Sequence, residues 1–151
     1  MMQGRLRSRA RLLRNLVTLV FAALVFVLVI EVIAGASGRY SLHMLIARLP
    51  MLFYLAAIWM VRQALAALAR GVLFDRVMPR LILLVGIALA AGALVNVFVV
   101  PWIWFAVLGR GSYAYYDVAA ITLGVVGFAL VLVARLLAQA AEMREELDAM
   151  F

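Results

Sequence analysis

Four long apolar stretches constrain this chain more than any other feature. They run from about Leu16 to Ala36, Met44 to Ala69, Leu81 to Val100 and Val118 to Leu137. Each is close to the ~20 residues with which an α-helix crosses the hydrocarbon layer of a bilayer. Backbone N–H and C=O groups in lipid must be paired within a helix or a closed barrel, and the chain has no polar/apolar alternation of the kind that builds a barrel. The predicted fold class is therefore all-α: a four-transmembrane-helix bundle, up-down-up-down, forming a single integral membrane domain over 1–151 with a helical tail over about 138–150. Composition agrees. Hydrophobic residues make up 70% and charged residues 14% of the chain, whereas a soluble domain is about half apolar and a quarter charged.

All the basic residues are arginine, and their placement predicts an orientation. Arg5, Arg7, Arg9, Arg11 and Arg14 precede the first span; Arg62, Arg70, Arg76 and Arg80 flank the second connection; Arg135 and Arg144 follow the fourth span. Only Arg39, Arg48 and Arg110 fall on the other side. By the positive-inside rule both the N and C termini face the cytoplasm, and the expected location is the bacterial inner membrane. Tyr40, Trp102, Trp104, Tyr113, Tyr115 and Tyr116 then form an aromatic belt at the outer edge. The N-terminal arginines, interleaved with Leu6, Ala10, Leu12 and Leu13, fit a topogenic tail held on anionic lipid. No direct nucleic-acid contact is expected of them. The same segment also has the outline of a secretory signal, with Ala34-Gly35-Ala36 in the place of a cleavage site. Its apolar core is longer than such signals use and contains Glu31, so an uncleaved anchor is expected.

The function classes that remain are narrow. The chain has no cysteine and a single histidine, His43, so thiol chemistry, a bis-imidazole haem and a histidine-rich metal site are not expected. No Ser–His–Asp set, P-loop or HExxH motif is present. A non-enzymatic protein with no catalytic residue, cofactor or metal is the expectation.

Polar residues inside spans carry the remaining information, because an unpaired charge in lipid is expensive. Glu31 and Arg48 lie at similar depth on the outer side of the first two helices, which a short turn makes antiparallel neighbours. Asn96 and Thr122 lie in the same layer of the third and fourth helices, so the four are expected to form one intramembrane polar cluster. Such a cluster reads either as glue that sets helix register or as an outward-facing site for an ion or polar headgroup. Gly86, Ala90 and Ala93, and Ala120, Gly124 and Gly127, form small-residue faces. These suit close packing of the third and fourth helices, or a homo-oligomer contact.

At the opposite end, Gly71 is placed to end the second helix, Asp75 to cap a new turn, and Pro79 to precede the third span. The fourth helical pattern outruns the bilayer. Its projecting part carries Glu142, Glu145, Glu146 and Asp148 beside an apolar stripe of Leu136, Ala140, Met143, Leu147 and Phe151. These features resemble a bacterial family of four-pass inner-membrane proteins, a DUF-type family of unknown function. The likeness covers about Pro50 to Phe151. It rests on a Gly-x-x-Phe loop (Gly71 to Phe74), on the basic residue and glycine that follow (Arg80, Gly86), and on the acidic tail. Members are often encoded beside small helix-turn-helix regulators. The resemblance implies a membrane partner for a DNA-binding regulator and transfers no catalytic residue. The expected docking residues are Gly71, Phe74, Asp75, Glu142, Glu145, Glu146 and Asp148. Two rivals stand beside this reading: a structural or accessory subunit of a larger membrane complex, and a small oligomeric transporter.

Overall fold

The computed structural model describes residues 2–38, 42–69, 74–109 and 114–149. Every element among them is helical: α1 (Met2–Ala36), α2 (Leu42–Ile46), α3 (Leu49–Ala69), α4 (Phe74–Leu94), a π-helical segment (Val95–Val99), α5 (Val100–Leu108) and α6 (Val118–Ala149). Four stretches are long and apolar enough to cross a membrane: Leu12–Ala36, Met44–Ala67, Met78–Val107 and Val118–Arg144. The chain is an all-helical, multi-pass membrane protein.

Prolines set the interruptions. The second span is not one helix, because Pro50 lacks an N–H and its ring crowds the carbonyl four residues back, that of Ile46. There α2 ends. Ala47 and Arg48 form a turn held by Arg48 N–H to Leu45 O (3.1 Å) and Met51 N–H to Arg48 O (3.0 Å), and α3 restarts at Leu49. The third span is longer than its hydropathy suggests. Through the π-helical segment and α5 it continues to Leu108, so Pro101–Leu108 is helix where a loop is expected from sequence. It stops at Gly109, whose φ of 62° places it in the left-handed region, with its N–H on Phe105 O at 3.0 Å. At its start, α4 already includes Asp75 and Pro79, rather than beginning after them.

Consecutive spans are antiparallel and pack in chain order, α1 on α3, α3 on α4 and α4 on α6. The register shows in matched pairs. Thr18, Phe21 and Glu31 of α1 meet Arg62 and Trp59 of α3 and Arg48 of the α2–α3 turn. Gly86 and Gly127 bring α4 and α6 together backbone to backbone, and Gly124 admits the Ala93 side chain. The fully shielded residues are small or medium, such as Ala57, Ala90, Ala93, Ala120 and Ala134, while Leu, Val, Ile and Phe crowd the outside. That inversion suits a bilayer. Lipid solvates large apolar side chains as well as a protein core does, so helices gain most where small residues allow close approach.

Candidate functional site

At the end of the molecule opposite the termini, Arg48 Nη2 donates to Glu31 Oε1 at 2.7 Å, with the side chains 50% and 26% exposed. Arg48 makes this contact from the turn between α2 and α3, at the break before Pro50. Met44 and Leu45 complete a pocket of about 250 Å³ around the pair. Glu31 Oε2 is shielded there without a hydrogen-bond partner among the described residues. Replacing Glu31 with Gln, or Arg48 with Met, should each destabilise the protein by ~1–2 kcal/mol, the range of polar contacts between membrane helices. The double replacement should recover part of the sum. A thermal-unfolding cycle in detergent checks this, and strictly additive losses would show that the contact carries no energy.

Asn96 and Thr122 do not join this pair. Thr122 Oγ1 donates to Val118 O, one turn back on its own helix (2.7 Å). Asn96 Nδ2 donates instead to Asp117 Oδ2 at 3.0 Å. The expected four-residue cluster therefore comes apart: Glu31 and Arg48 pair, Asn96 belongs to a second site centred on Asp117, and Thr122 bonds only within its own helix among the described residues. Asp117 precedes α6 and caps it: Oδ1 accepts from Ala119 N–H at 2.9 Å and Ala120 N–H at 3.4 Å. An aspartate just before an apolar run is a helix-start signal visible in the sequence. What was not visible is its second partner.

That partner depends on the π-helical segment. Pro101 has no N–H to offer the carbonyl of Val97, and the helix widens just before it, with Val100 N–H reaching back to Val95 O. The freed Val97 carbonyl accepts the N–H of Tyr115 at 3.0 Å. This bond lays residues 114–117 along the widened turn and delivers Asp117 to Asn96. Tyr54 lies nearby. Its ring occupies the space left by Gly92, where a Cβ would stand 2.7 Å from Tyr54 Cε1. Its hydroxyl oxygen is shielded and has no hydrogen-bond partner among the described residues.

At the end that carries the termini, Thr18 links two arginines. Its hydroxyl donates to Arg14 O at 2.7 Å and accepts from Arg62 Nε at 2.9 Å. The Arg62 guanidinium also lies 4.7 Å from the centroid of Trp59. On the far side of α4, Met78, Pro79 and Ile82 face Leu137, Ala140 and Ala141 of α6 across a groove of about 550 Å³, with Arg144 at its rim. Glu142 and Glu146 are exposed beside it. Of the other expected docking residues, Gly71 lies outside the described residues. Phe74 and Asp75 fall in the first turn of α4, and Glu145 and Asp148 in the last turns of α6, but their side chains are outside the described set.

Residues 33–150 match the family described as a protein of unknown function (DUF2975). The chain belongs to this family. The match takes in α2 to α6 and only the last residues of α1, so it begins well before Pro50, where the sequence resemblance starts. No curated protein and no solved structure is significantly similar to the chain. Membership of DUF2975 assigns no reaction to the chain, and the polar sites above are the chemistry that its described residues offer.

Proposed function

We propose that this protein resides in the bacterial inner membrane with both termini in the cytoplasm, and that it restrains a cytosolic DNA-binding regulator there. Docking uses the connection after α3 and the projecting end of α6. The observation that carries this reading is the groove between Met78–Ile82 and Leu137–Ala141. It offers an apolar slot for an anchoring side chain next to the exposed carboxylates of Glu142 and Glu146. Of the stripe residues, Met143 and Leu147 are 59% and 54% exposed, so the projecting end of the helix keeps an apolar face uncovered. At 32 residues, α6 is ~48 Å long at 1.5 Å per residue, against a hydrocarbon layer of ~30 Å. A DNA-binding partner brings a basic surface, for which an acidic helix competes, and complementary charge mainly raises association rate and selectivity.

The orientation has a direct test. Single cysteines in place of Ser8, Asp75 and Ala149 should resist an impermeant periplasmic thiol reagent in intact cells, while one in place of Ser112 should react. Labelling at Asp75→Cys would reverse the assignment. For docking, Glu142, Glu145 and Glu146 are replaced by Gln and Asp148 by Asn, and capture of a purified helix-turn-helix regulator with a basic DNA-binding face is measured at two salt concentrations. Loss of steering should slow capture about tenfold or more at low salt and have little effect at high salt. Capture that ignores both the substitutions and the salt would leave the acids merely solvated.

The accessory-subunit reading has one observation of its own. Among the spans α1 packs on α3, and a face including Phe26, Ile30 and Ile33 stays exposed. A partner retained after removal of residues 138–151 would favour contacts within the bilayer over docking on the tail.

A further inference from the structure

We propose that the protein binds an anionic phospholipid at the end carrying the termini, with the headgroup phosphate on Arg62 and Arg14 and one acyl chain in a cleft between the four spans. The cleft holds about 490 Å³ and has no polar lining, a size within the ~300–1,000 Å³ of ligand pockets generally. All four spans contribute to it, among them Val17 and Val20 of α1, Ala57 and Val61 of α3, Val85 of α4 and Leu123 of α6. The spans pack in a row, and α1 and α6 flank the cleft without substantial contact with each other. A chain therefore has a lateral path into it from the bilayer.

The mouth of the cleft decides the headgroup. Arg62 directly follows the lining residue Val61, and Arg14 stands one helical turn before Val17. Thr18 accepts from Arg62 Nε and donates to the backbone carbonyl of Arg14, so Arg62 is held against the turn of α1 that carries Arg14. Among the described residues neither terminal amino group of Arg62 has a hydrogen-bond partner, and the guanidinium is held by Thr18 and by the Trp59 ring. Arg14 has Asn15 Oδ1 as a neutral partner at 3.3 Å. Among the described residues no carboxylate forms an ion pair with either arginine, and Glu142 and Glu146 sit on α6, which packs on α4. Arg14 and Arg62 lie near the termini-side limits of the Leu12–Ala36 and Met44–Ala67 spans, the level at which a lipid phosphate meets the hydrocarbon. Two guanidinium groups at that depth with no carboxylate partner among the described residues, above an apolar slot, match an anionic phosphate carrying an acyl chain.

The full chain, delipidated in detergent, is titrated with phosphatidylglycerol or phosphatidylcholine of identical acyl chains and followed by native mass spectrometry. Phosphatidylglycerol should be retained preferentially, and Arg62→Gln should reduce that preference about fivefold, the effect of one basic residue at an anionic surface. Gln keeps an amide donor for Thr18, and Arg62→Lys should preserve the preference. Val85→Phe, which fills the cleft, should weaken retention of both lipids, and glycerol phosphate without chains should not compete. Equal retention of the two lipids would overturn the proposal. So would a preference unchanged by Arg62→Gln and Arg14→Gln alike, or lipid binding untouched by Val85→Phe. Unfolding temperature without lipid checks each variant, and if Arg62→Gln does not fold, Arg14→Gln decides.

Discussion

Replacing Gly127 with leucine should pull α4 and α6 apart and destabilise the protein by about 3 kcal/mol, the upper part of the range for overpacking. A Cβ at this position would stand 2.7 Å from Ala90 N and 2.7 Å from Gly86 O. Both are backbone atoms of a regular helix, so no rotamer change relieves the clash. The helices must separate, and then the contact of Gly124 with Ala93 and of Gly86 with Val131 opens as well. In lipid this loss is not offset by any hydrophobic gain from regrouping, since close packing is itself the attraction. Gly127→Ala should show the same effect at smaller size. Val125→Leu, on the exposed face of the same helix, should leave stability within about 0.5 kcal/mol, as surface changes usually do. Denaturant or thermal unfolding in detergent measures all three. A Gly127→Leu protein as stable as the parent would mean that this helix pair is not packed as described.

Replacing Asp117 with alanine should cost about 2–4 kcal/mol, combining loss of a helix cap with a stranded amide on Asn96. The carboxylate caps the first turn of α6 through Ala119 and Ala120 and accepts from Asn96 inside the π-helical segment. Asp117→Asn should lose much less, about 1 kcal/mol, because its carbonyl can still cap and the Asn96 amide can turn to present its own oxygen. Hydrogen exchange adds a local readout. The Tyr115 amide, bonded to Val97 O, should exchange faster in Asp117→Ala while the middle of α4 does not change. Equal losses for Asp117→Ala and Asp117→Asn would show that the Asn96 contact contributes nothing and that Asp117 acts otherwise.

Much of this architecture is written in local order along the chain. Four apolar runs of bilayer length, in a medium that forbids unpaired backbone, leave helices as the answer, and alternation of direction follows from the short connections. The Glu31–Arg48 contact was legible for a similar reason: a short turn ties two neighbouring helices, so equal depth nearly guarantees proximity. The small-residue faces on α4 and α6 were legible as surfaces for close approach, though not as surfaces for each other rather than for another copy. Depth alone could not say where Asn96 and Thr122 point. Around a helix axis the direction of a side chain changes by ~100° per residue, so two residues in one layer can face opposite ways. The widened turn before Pro101 shifts that direction again for Asn96. Only the tertiary structure decided that the carbonyl left free by Pro101 would capture Tyr115 N–H and bring Asp117 to Asn96. That pairing joins residues from two elements through a connection whose path no periodicity records, and it satisfies a backbone oxygen that Pro101 leaves without its helical donor.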